Sequence, residues 1–175
     1  MPRYVVLLRG VNVGGHNRLP MAEWRAALTA DGFCDVRTLI QSGNAVLDAP
    51  GDAASLRESV VAGLSSRFGL TVGCVVLAAE TFGGLLAANP FPDADPRRLH
   101  LFFLAEPVVL DRPALKAAAV NGESLVEAPT HIWLHAPGGY GASKLAERLN
   151  RQLKTTVATA RNLATCNALR ELAGI

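Results

Sequence analysis

Two stretches of the chain show the same order of strand-like and helix-like patterns, and this repeat constrains the fold more than any other feature. In each stretch a strand is followed by a helix, a two-stranded hairpin, a second helix and a fourth strand. The first stretch begins with YVVLLR at residues 4–9 and ends with TVGCVVLA at 71–78. The second begins with LHLFFLA at 99–105 and ends with TTVATA at 155–160. This order predicts an α+β protein with two βαββαβ units.

Apolar residues at helical spacing, with glycine or proline at the boundaries, place the helices between these strands. They predict helices over residues 21–30, 53–68, 80–88, 112–120, 143–153 and 162–173. Paired strand-like runs predict hairpins from residues 36–41 with 44–48 and from 124–128 with 131–136. We therefore expect two tandem ferredoxin-like subdomains plus a C-terminal helix. The first subdomain covers residues 1–90 with a connecting helix, and the second covers 91–175.

A local similarity adds to the argument for internal duplication. The segments LDAPGDAASLRE at 47–58 and LHAPGGYGASKLAE at 134–147 share Leu-x-Ala-Pro-Gly followed by Ala-Ser and a leucine. Each segment lies where a third strand leads into a second helix. Chance similarity in an alanine-rich chain is the alternative, so the order of the elements carries more of the argument.

Composition limits the classes of protein to which the chain can belong. Half of its 175 residues are hydrophobic, so it can bury a core without a metal ion or disulfide bonds. Its three cysteines are widely separated and show no zinc-binding spacing, which favours a reducing, cytoplasmic compartment and no metal. No segment is typical of a signal peptide or a membrane span, so no membrane partner is expected. The sequence leaves the oligomeric state open.

A glycine-rich loop follows the first strand and is the main candidate for a binding site. It reads RGVNVGG at residues 9–15, and glycines of this kind let a backbone approach an anion or merely turn a corner. In a βαββαβ unit the first strand ends at the same sheet edge as the hairpin QSGN at 41–44. The expected ligand-binding residues of this edge are Arg9, Asn12, Gly14, Gly15, Gln41, Ser42 and Asn44. The alternative for Arg9 is a structural ion pair with a carboxylate.

Three residues of the second half are further candidates for binding an anion. Lys144 opens a helix in GGYGASK, where free N–H groups and the helix dipole favour negative charge. Arg161 and Asn162 precede the last helix. Structural alternatives are that Ser143 caps the helix while Lys144 points to solvent, and that Asn162 caps the last helix.

Known catalytic and cofactor motifs are absent from the chain. GVNVGG is not G-x-G-x-x-G, and GGYGASK does not have the spacing of a P-loop, so no nucleotide cofactor is identified. His131 and His135 lie on one strand about 13 Å apart at roughly 3.3 Å per residue, too far to share a metal ion. His16, in the glycine loop, is a candidate proton carrier, although a lone loop histidine is more often only solvent-exposed.

Several ordered motifs resemble those of a known bacterial family. They are YVVLLRGVNVGG with LPM, VRTLIQSGNAV, NPF, LHLFFL, GGYGASKL and TARNLAT. Together, over nearly the whole chain, they resemble the family of domain of unknown function 1697. The resemblance implies a cytoplasmic bacterial protein of two ferredoxin-like halves, and it brings no reaction or ligand. Family members usually carry Arg-Asn-Trp-Asn-Thr where this chain has Arg-Asn-Leu-Ala-Thr at 161–165, so a role for that tryptophan is not carried over.

The sequence motifs leave two functions from different classes open. The first is binding of a small anionic or phosphorylated ligand at the glycine-rich loops, with or without catalysis. The second is an RNA-binding or protein-interaction module without catalytic activity. A net charge of +2 and the lack of a basic stripe make tight binding of generic nucleic acid unexpected. Strands that read as buried on both faces also leave little room for an aromatic RNA-binding surface.

Overall fold

The computed structural model describes residues 1–175 and divides into two compact units. The first unit contains Met1–Ala87 together with Asn167–Ile175. The second unit contains Ala88–Cys166. The end of the chain therefore groups with its beginning, and Arg3 in the first strand donates to the carbonyl oxygen of Ala173 at 3.1 Å.

The first unit follows the predicted order of strands and helices. Its elements are β1 (Arg3–Leu8), α1 (Met21–Ala30), β2 (Cys34–Leu39), β3 (Asn44–Asp48), α2 (Ala53–Phe68), β4 (Cys74–Ala78) and α3 (Ala79–Ala87). The strands form one antiparallel sheet with the order β2-β3-β1-β4. One face of β1 packs on α1 and α2, where Trp24 and Leu64 are almost completely buried.

The second unit repeats this order. Its elements are β5 (Leu99–Leu104), α4 (Arg112–Ala118), β6 (Ser124–Ala128), β7 (His131–His135), a 3₁₀ turn (Tyr140–Ala142), α5 (Lys144–Gln152) and β8 (Ala158–Asn162). The helix α6 (Leu163–Ala173) follows, and its residues from Asn167 onward belong to the first unit. The strands form an antiparallel sheet with the order β6-β7-β5-β8, and Phe102 and Leu134 pack with Leu149 in its core.

The prediction of an α+β protein is confirmed as two four-stranded antiparallel sheets with six helices. The two sheets also have equivalent strand orders, because β5 to β8 occupy the positions of β1 to β4. No helix of the protein combines the length and the apolar character that crossing a bilayer would require.

Some strand boundaries differ from those predicted from the sequence, because a bulge or a turn changes where the strands begin to pair. The strand β2 begins earlier, at Cys34, because a bulge with Asp35 at a φ of 45° lets the chain pair with β3 before Val36. In the second unit Thr156 donates to the carbonyl of Leu153, so the chain turns after α5 and β8 starts only at Ala158.

Candidate functional site

Gly14 and Gly15 form the tip of a tight turn in the loop that follows β1. Their φ angles are 57° and 79°, and the N–H of His16 donates to the carbonyl of Val13 at 3.0 Å. Two successive positive φ angles closed by this hydrogen bond define a type I′ turn, which glycine adopts without strain. The glycines therefore have a local conformational role, and both remain exposed at the surface.

Asn12 fixes the base of this loop with its side chain. Its Nδ2 donates to the carbonyl oxygens of Leu19 at 2.9 Å and Gln41 at 2.8 Å. Its Oδ1 accepts from the N–H of Leu19 at 2.8 Å. A φ of 54° puts Asn12 in the left-handed region, which asparagine tolerates better than most residues. Asn12 thus organises the loop and joins it to the next hairpin.

The hairpin between β2 and β3 turns through residues 40–43, two residues more than its Ser-Gly pair alone would suggest. The N–H of Leu8 donates to the carbonyl of Gly43 at 2.8 Å. A Cβ atom on Gly43 would lie 2.6 Å from Val11 Cγ2 and 2.7 Å from Leu8 Cβ, so only glycine fits. The expectation that the glycine loop and this hairpin meet at one sheet edge is confirmed by these contacts.

Asn44 lies beneath the hairpin and is completely buried. Its Nδ2 donates to the carbonyl of Leu39 at 3.2 Å, across the mouth of the turn. This contact closes the hairpin, and burial keeps the amide away from solvent. Gln41, by contrast, is exposed, and its backbone carbonyl accepts from Asn12.

The segments that meet at this edge contain two arginines and no carboxylates. The N–H of Arg9 donates to the carbonyl of Gly73 at 2.8 Å, which brings the segment before β4 to the same place. No Asp or Glu occurs in these segments, which are residues 9–22, 38–47 and 69–79. They contain Arg9, Arg18 and His16, and the last two are exposed. The charge of these loops therefore favours an anion.

Lys144 is the first residue of α5 in the second unit. Ser143 caps this helix, because its Oγ accepts from the N–H of Ala146 at 2.9 Å. Lys144 is 75% exposed and its Nζ lies 3.3 Å from Glu147 Oε2. Lys144, Ser143 and Glu147 line one cleft of about 430 Å³. The carboxylate in that cleft opposes the charge that Lys144 would contribute toward an anion.

Arg161 and Asn162 end strand β8. Arg161 is 9% exposed, and its Nη1 donates to Thr159 Oγ1 at 2.7 Å and to the carbonyl of Ala160 at 2.8 Å. Burial lowers the pKa of its guanidinium to about 10, so the group stays charged at neutral pH. Asn162 Oδ1 accepts from the N–H of Thr165 at 2.8 Å and so caps the first turn of α6.

The sequence reasoning did not single out His100, which is the most perturbed histidine of the second unit. Its ring stacks on Tyr140 with centroids 4.3 Å apart, and its Nδ1 is buried without a hydrogen-bond partner. Burial lowers the pKa of His100 to about 4. The hydroxyl of Tyr140 accepts from Asn150 Nδ2 at 2.7 Å. A histidine inside the apolar run LHLFFL was the available signal.

No cluster of three or more histidine, cysteine, aspartate or glutamate side chains in the protein has a geometry that could hold a metal ion. The three cysteines are free thiols, with Cys34 exposed and the other two buried.

One family model and one solved structure are similar to the chain. A family model described as a protein of unknown function (DUF1697) matches residues 1–132. The solved structure of the conserved bacterial protein SP0830 from Streptococcus pneumoniae superposes with a TM-score of 0.79 and 25% sequence identity, over 98% of each chain. No curated protein matches the chain. The family match covers well over half of the sequence, and the chain therefore belongs to the DUF1697 family.

Proposed function

We propose that the protein binds a small anionic or phosphorylated ligand at the edge of the first sheet formed by residues 9–20 and 40–43. The observation that carries this proposal is the charge of the edge. Its loops contain Arg9, His16 and Arg18, and the segments that meet there contain no aspartate or glutamate. These segments would offer an anion two arginines and exposed backbone, and they contribute no carboxylate of their own.

The construction of the loops supports the same proposal. Asn12 bonds both to its own loop and to the facing hairpin, and Gly43 packs against Leu8 and Val11. These contacts fix the two loops before any ligand arrives, so binding would cost little ordering entropy. The exposed amides of Gly14 and Gly15 occupy the tip of a turn that is already formed.

Strain in the hairpin is consistent with a functional edge. Ile40 has a φ of 49°, although a β-branched side chain strongly disfavours the left-handed region, and the residue is 55% exposed. Val13, beside Asn12, is 63% exposed. Strained backbone and exposed apolar side chains are found more often at binding sites than elsewhere on a surface. Neither feature stabilises the folded protein, so a binding role is a reason for both.

A thermal-shift screen with phosphate, sugar phosphates, nucleotides and carboxylates tests the proposal. A ligand that binds only the folded protein at one hundred times its Kd stabilises the protein by about 2.7 kcal/mol. We expect at least one anion to raise the melting temperature in a concentration-dependent way. If every anion leaves the melting temperature unchanged while an RNA oligonucleotide raises it, the interaction module is the better interpretation.

Three matched substitutions locate the binding site. Arg9→Met and Arg18→Met each remove a cation of the edge and keep most of the side-chain volume, and Arg25→Met removes an exposed arginine of α1. We expect Arg9→Met and Arg18→Met to lower the affinity for the anion that the screen selects. Arg25→Met should leave that affinity unchanged. A large loss of stability in Arg9→Met without ligand, with an unchanged ligand-induced shift, would assign that arginine to the fold.

We further propose that the two units are ferredoxin-like subdomains that arose by duplication, in a cytoplasmic protein. Support comes from their equivalent strand orders and from the shared Leu-x-Ala-Pro-Gly segments that precede α2 and α5. The free thiols are compatible with a reducing compartment. A superposition of β1 to β4 on β5 to β8 in an experimental structure tests the first part, and fractionation of the native host tests the second.

A further inference from the structure

A second cleft, independent of the loops discussed above, lies in the second unit beside the proline-rich segment 89–96. Its volume is about 600 Å³, which is in the usual range for small-molecule sites. Pro90, Phe91, Asp93, Asp95, Arg98 and His135 are among the residues that line it. The cleft thus combines apolar rings with charges of both signs.

The proline-rich segment is fixed by its own hydrogen bonds. Asn89 Oδ1 accepts from the N–H of Phe91 at 2.8 Å, and the N–H of Ala94 donates to the carbonyl of Phe91 at 3.1 Å. Asp95 Oδ1 accepts from the N–H of Arg97 at 2.9 Å. Such turns, together with the fixed φ of the prolines, define the wall of the cleft without a ligand.

The guanidinium of Arg98 lies against a glycine. A Cβ atom on Gly139 would come within 2.5 Å of Arg98 Nη1, so the side chain occupies space that only glycine leaves open. The carbonyl of Arg98 accepts from the N–H of Ala136 at 2.9 Å, which fixes its backbone beside β7. The fold therefore fixes the backbone of Arg98, and the exposed guanidinium lies over Gly139.

The charged side chains that line the cleft do not form ion pairs with one another. None of the ion pairs in the structure involves Arg98 or Asp93. Phe91 and His135 form an aromatic wall, with ring centroids 5.5 Å apart and an interplanar angle of 36°. A ligand can therefore meet a cation, a carboxylate and a ring surface in one cleft.

We propose that this cleft binds a zwitterionic α-amino acid with an apolar side chain. Its carboxylate would bond to the guanidinium of Arg98, and its ammonium group would bond to Asp93 and Asp95. Its side chain would cover Phe91 and His135. A phosphate would be repelled by the two carboxylates, and a simple cation would be repelled by Arg98. A neutral ligand would desolvate these charges without pairing them.

Binding of phenylalanine to the full-length, isotope-labelled protein, followed by NMR, tests this proposal. We expect saturable amide shifts in residues 90–98 and 135–139 at concentrations up to ~10 mM, the range of weak small-ligand binding. Phenylalaninamide lacks the carboxylate and N-acetylphenylalanine lacks the ammonium group. Each should bind about tenfold more weakly, since each loses one charge-assisted contact.

Substitutions on each side of the cleft make the assignment specific. Arg98→Gln should lower the affinity for phenylalanine about tenfold and leave the affinity for phenylalaninamide unchanged. Asp93→Asn should lower the affinity for phenylalanine but not the affinity for N-acetylphenylalanine. The control Arg97→Gln removes an exposed neighbouring charge and should have no effect.

Several outcomes would overturn the proposal. They are the absence of saturable shifts with phenylalanine or leucine, shifts confined to other segments, equal affinity for the amide and the free amino acid, and preferential binding of phosphate or nucleosides. Arg98→Gln and Asp93→Asn should keep the melting temperature of the wild type because both side chains are exposed, so a loss of affinity in either variant reports a lost ligand contact. The anion screen on the first unit is a separate measurement, so either proposal can fail alone.

Discussion

The side-chain amide of Asn12 donates to the backbone carbonyl of Gln41 at 2.8 Å and so joins the loop after β1 to the hairpin between β2 and β3. The two residues are 29 positions apart in the sequence. The same side chain also bonds twice to Leu19. One asparagine therefore ties together the two loops of the edge that we propose as an anion site.

Replacing Asn12 by glycine should destabilise the protein chiefly through lost hydrogen bonds. Glycine adopts the φ of 54° without strain, and the backbone entropy that it adds to the unfolded chain is shared by the control described below. We expect a loss of about 1–3 kcal/mol in the free energy of unfolding, measured by urea denaturation.

Asn17→Gly is the matched control for that substitution. Asn17 also has a positive φ, of 50°, but its side chain makes one hydrogen bond, to the carbonyl of Gly10. Its loss should be smaller than that of Asn12→Gly. Equal losses would mean that the bond to Gln41 contributes nothing to the stability of this edge.

Gly43→Ala should be much more damaging than a glycine substitution in an open turn. The new methyl group would overlap Val11 Cγ2 and Leu8 Cβ, which belong to the packed core and cannot move freely. Gly51→Ala is the control, because Gly51 has a φ of 81° and no atom lies within 4 Å of the position that its new methyl group would occupy. Gly43→Ala should cost about 1–3 kcal/mol more than the control in urea unfolding.

Stability should fall on the acid side because His100 is buried as the neutral imidazole. Its pKa is lowered to about 4 in the folded protein, from an ordinary value near 6.5. The unfolded chain therefore binds a proton first as the pH falls. The contribution of His100 to stability is complete above pH ~6.5 and is lost progressively down to pH ~4.

His100→Phe keeps an aromatic ring against Tyr140 and removes the titration. Denaturant unfolding at a series of pH values should give a shallower decline for this variant between pH ~6.5 and ~4. We expect a difference on the order of 1–2 kcal/mol across that window, after solvent screening of a partly exposed ring. Parallel curves for the variant and the wild type would refute the assignment.

Thiol labelling should distinguish Cys34 from the other two cysteines. Cys34 is exposed, whereas Cys74 and Cys166 are buried, and burial raises the pKa of each of these two thiols to about 12. Only the thiolate reacts with an aromatic disulfide reagent such as DTNB. At pH ~8 the folded protein should release one equivalent of chromophore quickly, and all three thiols should react in denaturant. Rapid reaction of two or more thiols in the folded protein would show that its interior opens readily.

The order of the strands and helices could be predicted from the sequence because it depends on local periodicity. Apolar runs such as YVVLLR and LHLFFL, and the helical spacing of Leu56, Val60 and Leu64, are visible over a few residues. Chain direction then placed the loop after β1 and the β2–β3 hairpin at one edge. Strand ends were less accurate, since bulges and turns such as those at Asp35 and Thr156 depend on hydrogen bonds rather than on periodicity.

The roles of individual polar residues were decided only by the tertiary structure. Asn12 and Asn44 look alike in the sequence, but one joins two loops at the surface and the other is sealed beneath a turn. Arg161 was predicted from the sequence as a candidate for binding an anion, and the structure shows that it is buried and donates to Thr159 in β8. The cleft around Arg98 has no linear signature, because its walls come from residues 90–98 and from 135–137. Periodicity records which face of an element is apolar, whereas burial, hydrogen-bond partners and clefts arise when segments distant in the sequence pack together.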